Sequence, residues 1–199
     1  MKNKLPFSLP TLQTSSKAII PKIIEVVENQ KYVDGKNVRD LEKKLNSRYN
    51  RKVVAVSNGT SGLIVALNAI IEDKKEVIVP SLSFSATIQS IIHADAKPVF
   101  VDIYEDNWTM DVNDVERKIN ENTGSIMPVN LFGVPCDIES FEKLGQKYNI
   151  PIIYDSCQAF GAKSPEGEIG SFGDIEVFSL DASKILTAGT GGFITVKND

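Results

Sequence analysis

The chain has 199 residues, 42% of them hydrophobic, with 26 acidic and 22 basic side chains and a formal net charge of −4. That is enough apolar material for one sizeable core, and the mild acidity excludes the basic stripe that a nucleic-acid surface needs. Two cysteines, Cys136 and Cys157, and a single histidine, His93, exclude a disulfide framework and a zinc site built from Cys and His.

The first ten residues lack the apolar core of a signal peptide. No run approaches the roughly 20 apolar residues of a membrane helix, so the expected compartment is the cytoplasm. A proline-punctuated arm opens the chain. Helices are expected over part of Pro21–Gln30 and over Val38–Tyr49. Residues 1–50 form a lead-in segment that packs on a main domain, residues 51–199.

From Arg51 onward, short β-branched runs alternate with helical patterns. The expected strands are Val53–Ser57, Glu76–Val79, Pro98–Asp102, Ser125–Val129, Ile152–Tyr154, Ile175–Ser179 and Phe193–Val196. Several are almost continuously apolar, as strands covered on both faces are. Between them, Thr60–Ile71 carries Leu63, Ile64, Leu67 and Ile71 at helical spacing. Ser83–His93, Asn113–Ile119 and Ile138–Tyr148 are the next helices. This alternation predicts an α/β fold, a mainly parallel sheet with helices on both faces. Ligands of such sheets bind beyond the carboxyl ends of the strands.

Several polar segments follow strands. In Ser57-Asn58-Gly59-Thr60-Ser61-Gly62 a strand gives way to a helix start. Its unpaired N–H groups suit a phosphate, although Thr60 or Ser61 also reads as a plain N-cap. Asp155 follows an apolar strand. It suits either a charged ring nitrogen or an ordinary exposed turn. Lys184 follows Ser179 in a small-residue segment, before Gly189, Gly191 and Gly192. Such a lysine is either a solvated charge or, held in place, an amine able to condense with an aldehyde. Phe84 at a strand–helix junction either fills the core or stacks on a flat cofactor. Of the remaining candidates, His93 and Cys157 read as structural, Cys136 as loop filler, and Tyr104 and Trp108 as packing. No Gly-x-Gly-x-x-Gly turn marks a dinucleotide site.

Together these segments resemble the DegT/DnrJ/EryC1/StrS sugar aminotransferases, in order and at compatible separations. The resemblance runs from Tyr32-Val33-Asp34-Gly35 through Ser57–Leu63, Val77–Ser81 with Phe84 and Thr87, Lys97–Asp102 and Pro128–Gly133. It closes with Asp155–Ala162 and Ser179–Gly192. It implies a large domain of the aspartate-aminotransferase type that binds pyridoxal 5′-phosphate (PLP). In it Lys184 would form the Schiff base and carry the proton, and Asp155 would face the ring nitrogen. Gln158 would lie near the ring's phenolic oxygen, Phe84 would stack on the ring, and Thr60, the Ser61 backbone and Ser179 would reach the phosphate. It further implies transfer of an amino group, from an amino acid such as glutamate to a nucleotide-linked keto-sugar, in a homodimer. Members that remove a sugar hydroxyl carry His where this chain has Lys184, which points to transamination.

The sequence departs from the family pattern at Asp181, where members often have His, and at Thr190, where many have Glu; both are read as variation among subgroups. Members also run on into a small C-terminal domain, which is absent here. The expectation is therefore a fragment or truncated chain, with a non-catalytic cofactor-binding or interaction protein of the same fold as the alternative.

Overall fold

The computed structural model describes residues 16–198; the N-terminal arm expected before them lies outside this range. Two helices lead in, α1 (Ser16–Glu28) and α2 (Lys36–Tyr49). They are followed by β1 (Lys52–Val56), α3 (Gly59–Ile70), β2 (Glu76–Pro80), α4 (Ser85–His93), β3 (Lys97–Val101), α5 (Val112–Lys118) and β4 (Thr123–Ile126). Then come a 3₁₀ turn (Leu131–Gly133), α6 (Ile138–Tyr148), β5 (Ile153–Asp155) and a small hairpin of β6 (Lys163–Ser164) and β7 (Gly167–Glu168). The described chain ends with β8 (Ile175–Ser179) and β9 (Gly192–Val196).

Strands β3-β2-β4 and β5-β8-β9-β1 form two hydrogen-bonded sets. Parallel bridges between Ile126 and Ile152, and between Val129 and Asp155, join the sets along β4 and β5. Within these two sets pairing is parallel except at β9, which runs antiparallel to both β1 and β8. The mainly parallel sheet expected from the alternation is therefore present. The exception has a simple cause. Residues 180–191 between β8 and β9 contain no helix, and a chain that returns without a crossover must run back along its neighbour.

Successive strand residues face opposite sides. Ile78, Ile126, Ile152, Tyr154, Phe178 and Phe193 pack with Leu45 and Tyr49 of α2, Val115 of α5 and Phe141 of α6. Val77, Val79, Met127, Ile153, Val177 and Ile194 pack with Leu63 and Leu67 of α3 and Ile91 of α4. The result is three layers, helices–sheet–helices, with a core on each face. Phe178 and Phe193 stack across β8 and β9 with ring centroids 4.6 Å apart, within the range where aromatic pairs attract beyond their burial.

Most expected elements are present with bounds shifted by a residue or two. Asp155 closes β5 instead of following it. The apolar spacing of Ile19, Ile20, Ile23 and Ile24 carries α1 through Pro21, so the helix starts at Ser16. While α2 buries Leu45 and Tyr49, α1 leaves Ile20, Ile23, Ile24 and Val27 about half exposed. Cys136 is not loop filler. It is 4% exposed in the core, its thiol donates to the Val129 carbonyl, and burial pushes that thiol up to about 12. A thiol kept protonated in this way is chemically inert.

Candidate active site

A cavity of about 260 Å³ opens where β1, β5 and β8 end and α3 begins. Thr60, Phe84, Asp155, Gln158, Ser179 and Lys184 all line it. Six of the seven residues singled out from the sequence thus meet at one place, although they are spread over 125 positions of the chain (184 − 60 + 1). The parallel strands cause this, because they share one carboxyl edge.

The seventh, Ser61, lies outside the lining. Its backbone N–H donates to Asn58 Oδ1 at 2.8 Å and its hydroxyl accepts from Ser57 at 3.1 Å. The helix cap is therefore Asn58, which sits in the extended conformation a cap needs. It is neither Thr60 nor Ser61. Below the cap, Gly59 and Thr60, whose amides are first-turn donors without intrahelical acceptors, both line the cavity. The approach is tight. A Cβ on Gly59 would come within 2.6 Å of Cys157 Sγ and 3.0 Å of Ser179 Cβ. Cys157 is the small, partly buried filler of that contact, and burial keeps its thiol protonated.

Asp155 forms the floor and is 5% exposed. It accepts from the Thr87 hydroxyl at 2.7 Å and from the Cys157 amide at 3.1 Å. Thr87 has one proton, and a carboxylate can only accept, so Ser83 must donate to Thr87 across their 2.7 Å contact. Asp155 is thus anchored on one side, not an exposed turn residue. Thr87 is a site residue whose role the sequence did not reveal. It lies inside the segment that carries the resemblance, but no role is attached to it.

Lys184 follows a loop tied into shape by its own polar groups. Leu180 N–H donates to the Gly191 carbonyl at 2.8 Å, and Lys184 N–H to the Asp181 carbonyl at 2.9 Å. The Asp181 carboxylate takes the Ser183 amide and hydroxyl at 3.0 and 2.7 Å. These bonds hold its pKa below the usual range. The loop points Lys184 Nζ at the Phe84 ring, 5.9 Å from its centroid. Phe84 is 64% exposed, so it is a wall of the cavity, not a core residue. Ser179 accepts from the Asp181 amide at 3.3 Å and keeps its own O–H to donate.

Gln158 is oriented by a backbone group. Its Oε1 accepts from the Phe132 amide at 3.0 Å. A backbone N–H only donates, which fixes the side-chain amide: the Gln158 NH₂ is left as the free donor. Phe132 holds a left-handed conformation, φ 54°, as does Trp108, φ 61°. Their rings meet edge to face, 5.9 Å apart and largely exposed. Trp108 is therefore not packed in the core. His93 lies in the exposed last turn of α4 and does not line the cavity.

A layered α/β domain with a ligand-sized cavity at its strand ends, an amine facing an aromatic wall and a buried carboxylate below defines the class: a PLP-dependent transferase large domain. The chain belongs to the DegT/DnrJ/EryC1/StrS aminotransferase family, whose sequence model matches residues 13–199. It is 43% identical over 145 residues to GDP-perosamine synthase of Escherichia coli O157:H7, covering 72% of this chain and 40% of that protein. It is 35% identical over 189 residues to the dTDP-4-amino-4,6-dideoxy-D-glucose transaminase of Shigella dysenteriae, covering 94% and 50%. Streptococcus pneumoniae Spr1654, solved in its PLP form, superposes with a TM-score of 0.86 at 29% identity, covering 98% of this chain and 53% of the other. The chain spans about half the length of these relatives, or less. Among the described residues no helix is long and apolar enough to cross a membrane, and no His/Cys/Asp/Glu group is arranged to hold a metal ion.

Proposed function

We propose that this chain forms the cofactor-binding part of a PLP-dependent aminotransferase. It would move an amino group from an amino acid, glutamate, to a nucleotide-linked keto-sugar. The carrying observation is the convergence of Lys184 Nζ, the exposed Phe84 ring and the anchored Asp155 carboxylate on one cavity. The donor set fits PLP. A phosphate is served by the first-turn amides of α3 and the hydroxyls of Thr60 and Ser179. A flat ring is served by Phe84, a protonated ring nitrogen by Asp155, and a ring oxygen by the free Gln158 NH₂. When bound, PLP supplies an aldehyde that condenses with amines and a protonated ring that accepts electrons from the substrate carbon.

The chain's own residues then divide the work. Lys184 Nζ would hold the cofactor and would take and return the proton at the reacting carbon. Asp155 would keep the ring nitrogen charged, and Thr87 and the Cys157 amide hold Asp155 in place. The proposed sugar substrate follows from the relatives named as perosamine and dideoxy-aminosugar enzymes. The proposed assembly is a homodimer, and the proposed compartment is the cytoplasm.

PLP added to the purified protein should give a visible absorption band, and borohydride should fix the cofactor on Lys184 by peptide mapping. Lys184→Ala should lose both band and turnover. A band of wild-type strength in that variant would reject the assignment.

A further inference from the structure

Glu176 is a buried carboxyl group for which the proposed chemistry has no use. It is the second residue of β8, between Ile175 and Val177, and is fully buried. A glutamate inside an apolar strand is costly to bury unless its oxygens are satisfied. They are. Oε2 accepts from the Gly170 amide at 2.7 Å and the Phe172 amide at 3.3 Å. Oε1 accepts from the Ser156 hydroxyl at 2.7 Å. Ser156 in turn accepts from Asn130 Nδ2 at 2.8 Å, and Asn130 Oδ1 accepts from the Cys136 amide at 2.8 Å. Asn130 also donates its own N–H to the Asp155 carbonyl at 3.0 Å. Ser156 and Asn130 are both fully buried.

This chain of bonds ends at the cavity by two routes. Ser156 is flanked by Asp155 and lies two residues before Gln158. Asn130 opens the 3₁₀ turn whose Phe132 amide holds Gln158 Oε1. The backbone and the hydrogen bonds therefore close a ring through Ser156, Asn130, Phe132 and Gln158, with Glu176 as its outer anchor.

We propose that Glu176 is a positioning residue, which acts through Ser156 and Asn130 to hold the Gln158 amide with its NH₂ toward the cofactor's ring oxygen. The inference rests on the PLP reading only for what Gln158 faces; the hydrogen-bonded ring belongs to the protein alone. A buried network with every member satisfied sets one arrangement, and one missing member frees the rest. Arg51, the opposite charge facing Glu176, favours its ionised form.

Two readouts test this. In the cofactor-free protein, Ser156→Ala cuts the link but leaves Glu176 its two backbone donors. Hydrogen exchange at the Phe132 amide should then rise about fivefold or more, as loss of one ordinary hydrogen bond implies. Exchange at Ile153 and Tyr154 in the adjoining strand should stay unchanged. In the PLP-loaded protein, losing the Gln158 donor destabilises negative charge on the ring oxygen. The pH at which the visible band converts should rise by about one unit, both in Ser156→Ala and in Gln158→Ala. Glu176→Gln turns its oxygen to the two backbone donors and its NH₂ to Ser156, whose hydroxyl can accept it; the link survives with its direction reversed, and both readouts should keep the wild-type value. Ser156→Cys serves if Ser156→Ala does not fold. Unchanged Phe132 exchange together with an unchanged band midpoint in the folded variant overturns the proposal. A wild-type protein with no band at all rejects the PLP reading instead, and the exchange measurement still decides the role of Glu176.

Discussion

Glu176 is a carboxyl group on a strand whose neighbours are apolar, and its burial pushes its titration up to about 7 from an ordinary value of 4.5. The Ser156, Phe172 and Gly170 donors and the Arg51 charge pull the other way but do not cancel burial. The folded chain thus holds a proton that the unfolded chain releases near pH 4.5. Between about 4.5 and 7 the folded state binds more protons, so stability falls as pH rises through that window. The shift of about 2.5 units (7 − 4.5) corresponds to an effect on the order of 3 kcal/mol. The carboxylates of Asp114 and Asp181, lowered in the fold, act with the opposite sign but below their ordinary value of 3.8, outside this window. The difference between wild type and Glu176→Gln isolates the one group. Urea unfolding at pH 5 and pH 8 should show wild type losing stability relative to Glu176→Gln. Equal pH slopes in the two proteins would mean that Glu176 titrates as an exposed acid. At this scale the sequence marked Lys184, Asp155 and Gln158 by motif. It could not mark Glu176, whose surroundings are made by residues 46 positions earlier at Asn130 and 20 earlier at Ser156.

Between elements, a close approach that bears on the cavity lies where β9 passes the start of α3. Gly192 pairs with Val56 of β1 and Ser179 of β8. A Cβ there would meet the Phe178 carbonyl oxygen at 2.6 Å, Asn58 C at 3.0 Å and the Gly59 nitrogen at 3.1 Å. All three are backbone atoms and cannot swing aside. Alanine gains roughly 0.5–1 kcal/mol over glycine in a strand from lower chain entropy, whereas forced overpacking costs about 1–3 kcal/mol. The clash wins because nothing flexible absorbs it. Gly192→Ala should therefore lose about 1–2 kcal/mol in urea unfolding and also weaken PLP binding, since it presses on the first turn of α3. A variant as stable as wild type would show that β9 can shift. Elements with strong periodicity, such as α3, β8 and α6, were legible before the structure, because side-chain spacing alone specifies which face is buried. The β6–β7 hairpin was not, since two-residue strands carry no period. Nor was the reversed direction of β9, which depends on the missing crossover and not on its own residues.

For the whole molecule, the three-layer body covers both faces of the sheet, and among the described residues α1 leaves an apolar stripe open. Ile20, Ile23, Ile24 and Val27 stand at i, i+3, i+4 and i+7, one face of a helix, and each is about half exposed. Exposed stripes of this kind are uncommon on monomers. Ile185, beside Lys184, is also 64% exposed. In the proposed homodimer, surface of this kind becomes the contact between copies. Transferring one half-exposed isoleucine out of water contributes on the order of 1 kcal/mol, so four in one stripe can shift a dimer equilibrium by two or more orders of magnitude. Replacing a central member with a charge should reverse this, because an unpaired buried carboxylate costs more than the lost burial. Sedimentation of the wild-type chain across a concentration series should show reversible dimerisation. Ile24→Glu should move the midpoint to at least tenfold higher concentration, with the circular dichroism spectrum unchanged. A wild-type chain that sediments as a monomer at every concentration would reject the dimer. A dimer indifferent to Ile24→Glu would instead move the contact away from α1, toward the exposed rim around Phe84 and Ile185.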